Sequence, residues 1–262
     1  MSIKLVKGML IATALGVAAQ ASAMDLGYKA TIYDGNGPVG EDNEVEPGML
    51  NQQNWDMEGF YYNDTTDVLS MIGGFDVVNG EIDPATGDVV TAGDIFLSTG
   101  TPVYGDIHGQ SGPQVVKNTF GYDYVVDVDY AAGTWELLSL DSTADVLTAF
   151  MGANQGSNPF QYVGNGTATG INGSFSLTTA TDAEVGYTGG THYVMSIDLS
   201  DLAAQTTQDT VFYSHFTMGC GNDNLMGSYM VPEPTTLALF SIGIAGLWFS
   251  RRKQNSSNTL SA

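Results

Sequence analysis

The chain has 262 residues, is 43% hydrophobic, and sets 7 Lys and Arg against 29 Asp and Glu, a formal charge of −22 at pH 7. That balance excludes nucleic-acid binding, which needs several basic phosphate contacts, and argues against anionic lipid headgroups as a partner. With 13 Tyr and 11 Phe the chain is also too aromatic for a disordered acidic tail.

Residues 1–23 read as a signal peptide. Lys4 and Lys7 form a positive start, Met9 to Ala19 an apolar run, and Ala21-Ser22-Ala23 a small-x-small cleavage site, so that the mature chain begins at Met24. Five of the seven basic side chains lie in the two terminal segments. This leaves Lys29 and Lys117 against 28 carboxylates, a charge near −26 over residues 24–231. The lone cysteine, Cys220, rules out an internal disulfide, so stability must come from a core.

From residue 24 the pattern is nearly all β. A strand is expected within 24–33, followed by an acidic Gly/Pro loop to Gly48. Further strands are expected around Trp55 to Tyr62, Val68 to Phe75, Asp76 to Val78 and Gly93 to Leu97. Tyr122 to Tyr130 alternates and places Asp123, Asp127 and Asp129 on one face. Ala131-Ala132-Gly133 then turns the chain back into Thr134 to Leu140, the best hairpin signal present. Gly152 to Gly173 reads as a long loop or loose strand region. Strands are expected at Gly170 to Thr178, Thr191 to Leu199 and Thr210 to Thr217, and short helices at Ala144–Met151 and Ser200–Gln205. The turn spacing predicts a single all-β domain over residues 24–230, a β-sandwich of jelly-roll type.

The C-terminal end is a three-part device. Val231-Pro232-Glu233-Pro234 is a rigid hinge, Thr235 to Ser250 carries no charge, and Arg251-Arg252-Lys253 closes it. As a helix the apolar run is about 24 Å long, short for a membrane span, with Trp248 and the basic residues as interface anchors. The one-sided basic cluster predicts a cytoplasmic tail, residues 255–262. These three parts, in this order and spacing, resemble the PEP-CTERM sorting signal of Gram-negative bacteria, over about the last thirty residues. The resemblance implies export through the Sec translocon and recognition by an exosortase, a membrane-embedded cysteine transpeptidase. It also implies cleavage near Pro232-Glu233-Pro234 and association with exopolysaccharide or biofilm matrix. Gln254 to Ala262 make a longer tail than such signals usually carry.

Chemistry is sparse. His215-Phe216-Thr217-Met218-Gly219-Cys220-Gly221-Asn222-Asp223-Asn224 holds the densest set of reactive residue types. His and Cys five residues apart suit a metal or a nucleophile–base pair, yet only His108 and His192 remain to complete a zinc set. The favoured reading is a core strand ending in a glycine turn, with Cys220 as a small hydrophobe. The stretch resembles, more loosely, a segment of some exosortase-dependent surface proteins, as do Gly93-Asp94-Ile95-Phe96 and Tyr122 to Asp127. That resemblance brings no enzymatic activity. No cofactor is required. Calcium is a candidate at Asp34 and Asn36, whose loop departs from the EF-hand pattern, at Glu41, Asp42, Glu44 and Glu46, and at Asp127 and Asp129. No nucleophile elbow, phosphate loop or His-Glu-x-x-His occurs. The expected function is a non-enzymatic surface or matrix protein. The rivals are a polysaccharide-binding module using Trp55, Trp135 and Tyr122 as stacking platforms, and a glycan hydrolase using two carboxylates.

Overall fold

The computed structural model describes residues 22–32, 45, 49–103, 112–150, 156–206 and 209–232. Asp34, Asn36, Glu41, Asp42, Glu44, Glu46 and His108 lie outside the described residues. So do the signal segment up to Ala21 and everything from Glu233 on, including Pro234, the apolar run and Arg251, Arg252 and Lys253. Among the described residues no helix is long and apolar enough to cross a membrane.

In chain order the strands are β1 (Tyr28–Lys29), β2 (Thr31–Ile32), β3 (Met57–Asn63), β4 (Val68–Gly73), β5 (Glu81–Ile82), β6 (Val89–Val90), β7 (Ile95–Ser98), β8 (Val115–Lys117) and β9 (Tyr124–Asp129). There follow β10 (Thr134–Ser139), β11 (Asp145–Leu147), β12 (Gln161–Gly164), β13 (Thr167–Ser174), β14 (Ser176–Thr181), β15 (Thr191–Asp198), β16 (Thr210–Thr217) and β17 (Asn224–Val231). A 3-10 turn, Gln53–Trp55, precedes β3; the helices are α1 (Asp182–Val185) and α2 (Ser200–Ala203). The protein is all-β, and its strand pairs are antiparallel.

Two sheets carry the architecture. The first has the order β1-β3-β4-β15-β14, the second β13-β10-β9-β7-β16-β17-β2. Their margins are shared. β1 and β2 are one stretch of chain passing from the first sheet to the second through Ala30. Its N–H donates to the Phe60 carbonyl of β3, and its carbonyl accepts from Ser228 of β17, each at 2.8 Å. At the other margin β13 and β14 are continuous through Phe175. Strands that change sheets at corners in this way leave little edge for stray pairing.

Between the sheets lies the main core. Phe60, Tyr62, Leu69, Met71, Met195 and Ile197 come from the first sheet, and Leu97, Val126, Trp135, Leu137, Phe212, Phe216 and Tyr229 from the second. Tyr229 stacks on Tyr62 at 4.5 Å and on Phe212 at 6.1 Å between ring centroids. Burying each such side chain contributes roughly 1.5–3 kcal/mol. Two smaller clusters sit on the outer faces. Phe96, Val125 and Leu138 of the second sheet are covered by Phe120, Tyr122, Val146 and Tyr162, where β12, β11 and β8 form a small sheet. Ile72, Ala180 and Val194 of the first sheet are covered by Tyr187, with Met24, Leu26 and Val185 packed alongside.

The β9–β10 hairpin forms where the alternation places it, pairing Asp129 with Thr134 through Tyr124 with Ser139. Gly133 takes φ 72° in the turn, and the Asp129 side chain accepts from the Ala132 N–H at 2.9 Å. Other expectations change. Ala144–Met151 is not helical where it is described; it holds β11, which pairs with β8 and β12 and buries Val146 fully against the second sheet. The strand expected at Gly170 to Thr178 divides at Phe175 between two sheets. The long loop or loose strand region Gly152 to Gly173 contains β12 and all of β13 but its last residue, and β17 forms where no strand was expected. α2 forms within the predicted Ser200–Gln205.

Candidate functional site

β17 delivers the C-terminal hinge. Val231 pairs with Thr210 of β16, and its side chain is 2% exposed in the main core. Pro232 follows directly and is exposed. Proline cannot extend the ladder, so the strand stops there for a local chemical reason. No spacer separates the last core residue from the hinge.

The turn between β16 and β17 contains the reactive-looking cluster, and its side chains are occupied in holding the fold. Asn222 donates its Nδ2 to the carbonyls of Leu50 and Trp55 at 3.1 and 3.2 Å, while its Oδ1 accepts from Leu50 N–H at 2.9 Å. Asp223 accepts from the Met57 N–H at 2.5 Å and from Asn224 N–H at 2.7 Å. Thr217 Oγ1 donates to the Asp223 carbonyl at 2.8 Å. The turn therefore clips residues 50–57 against the second sheet. His215 is fully buried, and its Nε2 donates to the Gly156 carbonyl. Burial pushes its pKa down to about 4, so the ring is neutral at pH 7. Burial also pushes the Cys220 thiol up to about 11, which keeps it protonated and weakly nucleophilic. A nucleophile–base pair needs a reactive thiolate and a ring nitrogen directed at it; here the thiol is held protonated, His215 Nε2 is committed to a backbone carbonyl, and no hydrogen bond joins the ring to Cys220 among the described residues.

The three acids of one face separate into two roles. Asp123 stands before β9 and ties the end of β7, accepting from Thr99 N–H at 2.7 Å and Thr99 Oγ1 at 2.8 Å. Asp127 and Asp129 border a groove of about 870 Å³ with Thr134, Glu136, Asn172 and Ser174. Burial, then Glu136 and Asp129 nearby, raises the pKa of Asp127. Among the described residues no group of three or more His, Cys, Asp or Glu is placed to hold a metal ion. The aromatics expected as sugar platforms are core residues: Trp55, Trp135 and Tyr122 are 2%, 4% and 1% exposed.

Two polar arrangements escaped the sequence reading. A bulge at Met57/Gly59 keeps both Met57 and Phe60 in the core and releases Glu58 to meet His192. His192 Nδ1 lies 2.8 Å from both Glu58 oxygens, and Nε2 lies 2.9 Å from Asp182 Oδ1. The ring thus bridges two carboxylates, Glu58 on one nitrogen and Asp182 on the other. That contact, with the Gly190 N–H, lowers the pKa of Asp182. Glu58 and His192 are both 0% exposed, and the arrangement ties β3, β15 and α1 together rather than opening to solvent. The second is Asp94, 1% exposed, which accepts from Val128 N–H at 3.1 Å and Tyr162 N–H at 2.8 Å and so joins β9 to β12. Burial pushes its carboxyl up to about 7. An isolated Glu or Asp gives no local signal of such partners, because they lie 134, 34 and 68 residues away.

Residues 231–253 match the family model of the PEP-CTERM protein-sorting motif. No curated protein and no solved structure matches the chain. The motif begins on Val231, the final residue of β17.

Proposed function

We propose, for a chain that carries a PEP-CTERM protein-sorting motif, that it is an exported, exosortase-processed surface or matrix protein with a structural or adhesive, non-enzymatic role. In this reading residues 1–23 direct passage through the Sec translocon. The domain of residues 24–230 folds outside as one sandwich, and the 235–250 run holds an inner-membrane intermediate. Exosortase then cuts near Pro232-Glu233-Pro234, and the domain passes to the cell surface or an exopolysaccharide matrix. The observation that carries the reading is where the motif begins: it starts on the last core residue, so a cut beyond Pro232 leaves every described strand intact. The backbone contacts of His215 Nε2 and Asp223 and the protonated Cys220 thiol support a non-catalytic domain. Intact mass of the protein from envelope and matrix fractions tests it. Loss of residues 1–23 and of the tail beyond the hinge is expected; a mass retaining Thr235 to Ala262 in the matrix would sink the proposal.

A second reading, binding of matrix polysaccharide, is favoured by the groove of Asp127, Asp129, Thr134, Glu136, Asn172 and Ser174, whose polar groups suit sugar hydroxyls. Calorimetry against the producer's own exopolysaccharide, with and without calcium, tests it. Binding unchanged in Asp127→Asn/Glu136→Gln would remove the groove from consideration.

A further inference from the structure

We propose that Tyr28, Val211 and Met230 form a surface that rests on the interface of a zwitterionic bilayer while the sorting tail is still attached. The inference depends on the reading that residues 235–250 enter a membrane. The three side chains are 41%, 43% and 51% exposed. Val211 and Met230 are direct cross-strand partners, so they share one face of the second sheet; Tyr28 stands at the sheet margin beside them, its ring edge-on to Tyr62 at 6.2 Å between centroids and its Oη accepting from the Met230 N–H at 3.1 Å. The alternate residues Phe212, Tyr229 and Val231 point into the core. Met230 is thus the last outward-facing position before the hinge.

Chain length bounds how far this patch can stand from the bilayer. Val231 is anchored in the core and Thr235 opens the uncharged run. Four extended residues span at most about 14 Å. The headgroup layer of one leaflet is about 5–8 Å deep. With Thr235 at the hydrocarbon boundary, Val231 stands no more than about 6–9 Å above the headgroups. Tyr, Met and Val so placed fit the interfacial region, where tyrosine is enriched. Tethering raises the effective concentration to the millimolar range, so a small patch suffices. The lipid class follows from charge: exposed Asp209 borders β16, and Lys29 and Lys117 are the only Lys or Arg in residues 24–231. Anionic headgroups are repelled and zwitterionic ones are tolerated.

The test uses the chain from Met24 to Ala262 in phosphatidylcholine vesicles, on a Cys220→Ser background, with an environment-sensitive label at Val211→Cys or Ile82→Cys. Ile82 is 64% exposed and lies between β4 and β7, at the end of the sheets remote from Val231. A blue shift and quenching by doxyl lipid are expected at position 211 and not at 82, weakening as phosphatidylglycerol is added. Equal responses at both positions in protein that floats with the vesicles would overturn the proposal. So would 211-to-211 crosslinks without lipid quenching, which assign the patch to a second copy. A chain that fails to float overturns the membrane reading of the tail itself, and the patch proposal with it.

Discussion

Two buried residues set opposing pH dependences. Asp94, pushed up to about 7 by burial, binds its proton more tightly folded than unfolded. Its contribution is therefore full below the usual carboxylate range and is lost as pH rises through about 7, a change of about 4 kcal/mol. His215, pushed down to about 4, refuses a proton when folded. Its contribution is full above the usual imidazole pKa and is lost as pH falls toward about 4, a change of about 3 kcal/mol. Between about pH 4.5 and 6.5 the two slopes nearly cancel. Urea titrations should show a flat profile for the native chain. His215→Phe should lose stability as pH rises, and Asp94→Asn should gain it. Parallel profiles in all three proteins would contradict the assignment. His192→Phe tests a different kind of burial, because it removes the ring held by both oxygens of the fully buried Glu58 carboxylate and leaves the Gln53 Nε2 contact at 2.7 Å. A loss of roughly 3–5 kcal/mol is expected by chemical denaturation, against a much smaller one for Asp182→Asn, whose carboxylate is half-exposed.

At the scale of elements, β17 joins the fold to the sorting motif. Tyr229, stacked on Tyr62 and Phe212, and Val231 are core residues that stand immediately before Pro232. A chain stopped at Pro234 should melt like the native domain. One stopped at Ser228 loses two buried side chains, each worth roughly 2–5 kcal/mol, and is expected not to fold cooperatively. Circular dichroism melts of the two truncations decide this, and equal melting would show that the strand is dispensable. The hairpin β9–β10 was legible because its signals are local: alternation on both arms and a glycine in the turn. β17 was not, since Gly227 and Ser228 interrupt its apolar pattern. A Cβ at Gly227 would come within 2.3 Å of the Ser214 Oγ on the neighbouring strand, so a larger residue there displaces that side chain.

For the whole molecule the dominant long-range term is self-repulsion. A formal charge of −22 on a folded chain destabilises the compact state, and salt relieves it as the screening length falls from about 30 Å at 0.01 M to about 8 Å at 0.15 M. The melting temperature is therefore expected to rise over that range of sodium chloride; a fall would mean that local ion pairs outweigh net charge. Such pairs are few among the described residues. The pair Lys117–Asp145, at 2.6 Å, lies at the surface with its lysine half-exposed, where water and salt screen it.

Sequence alone determined the sorting tail and the all-β class. Both are written in neighbouring residues: the tail as a contiguous order of hinge, apolar run and basic cluster, the class as alternation and turn chemistry. Tertiary structure decided the rest. Ala30 and Phe175 pass the chain between sheets, Trp55, Trp135 and Tyr122 are core, and the Asn222-Asp223 turn is a clip. The reason is separation along the chain. Asp223 meets Met57 across 166 residues and His192 meets Glu58 across 134, and no local pattern encodes which distant backbone a buried carboxylate will find.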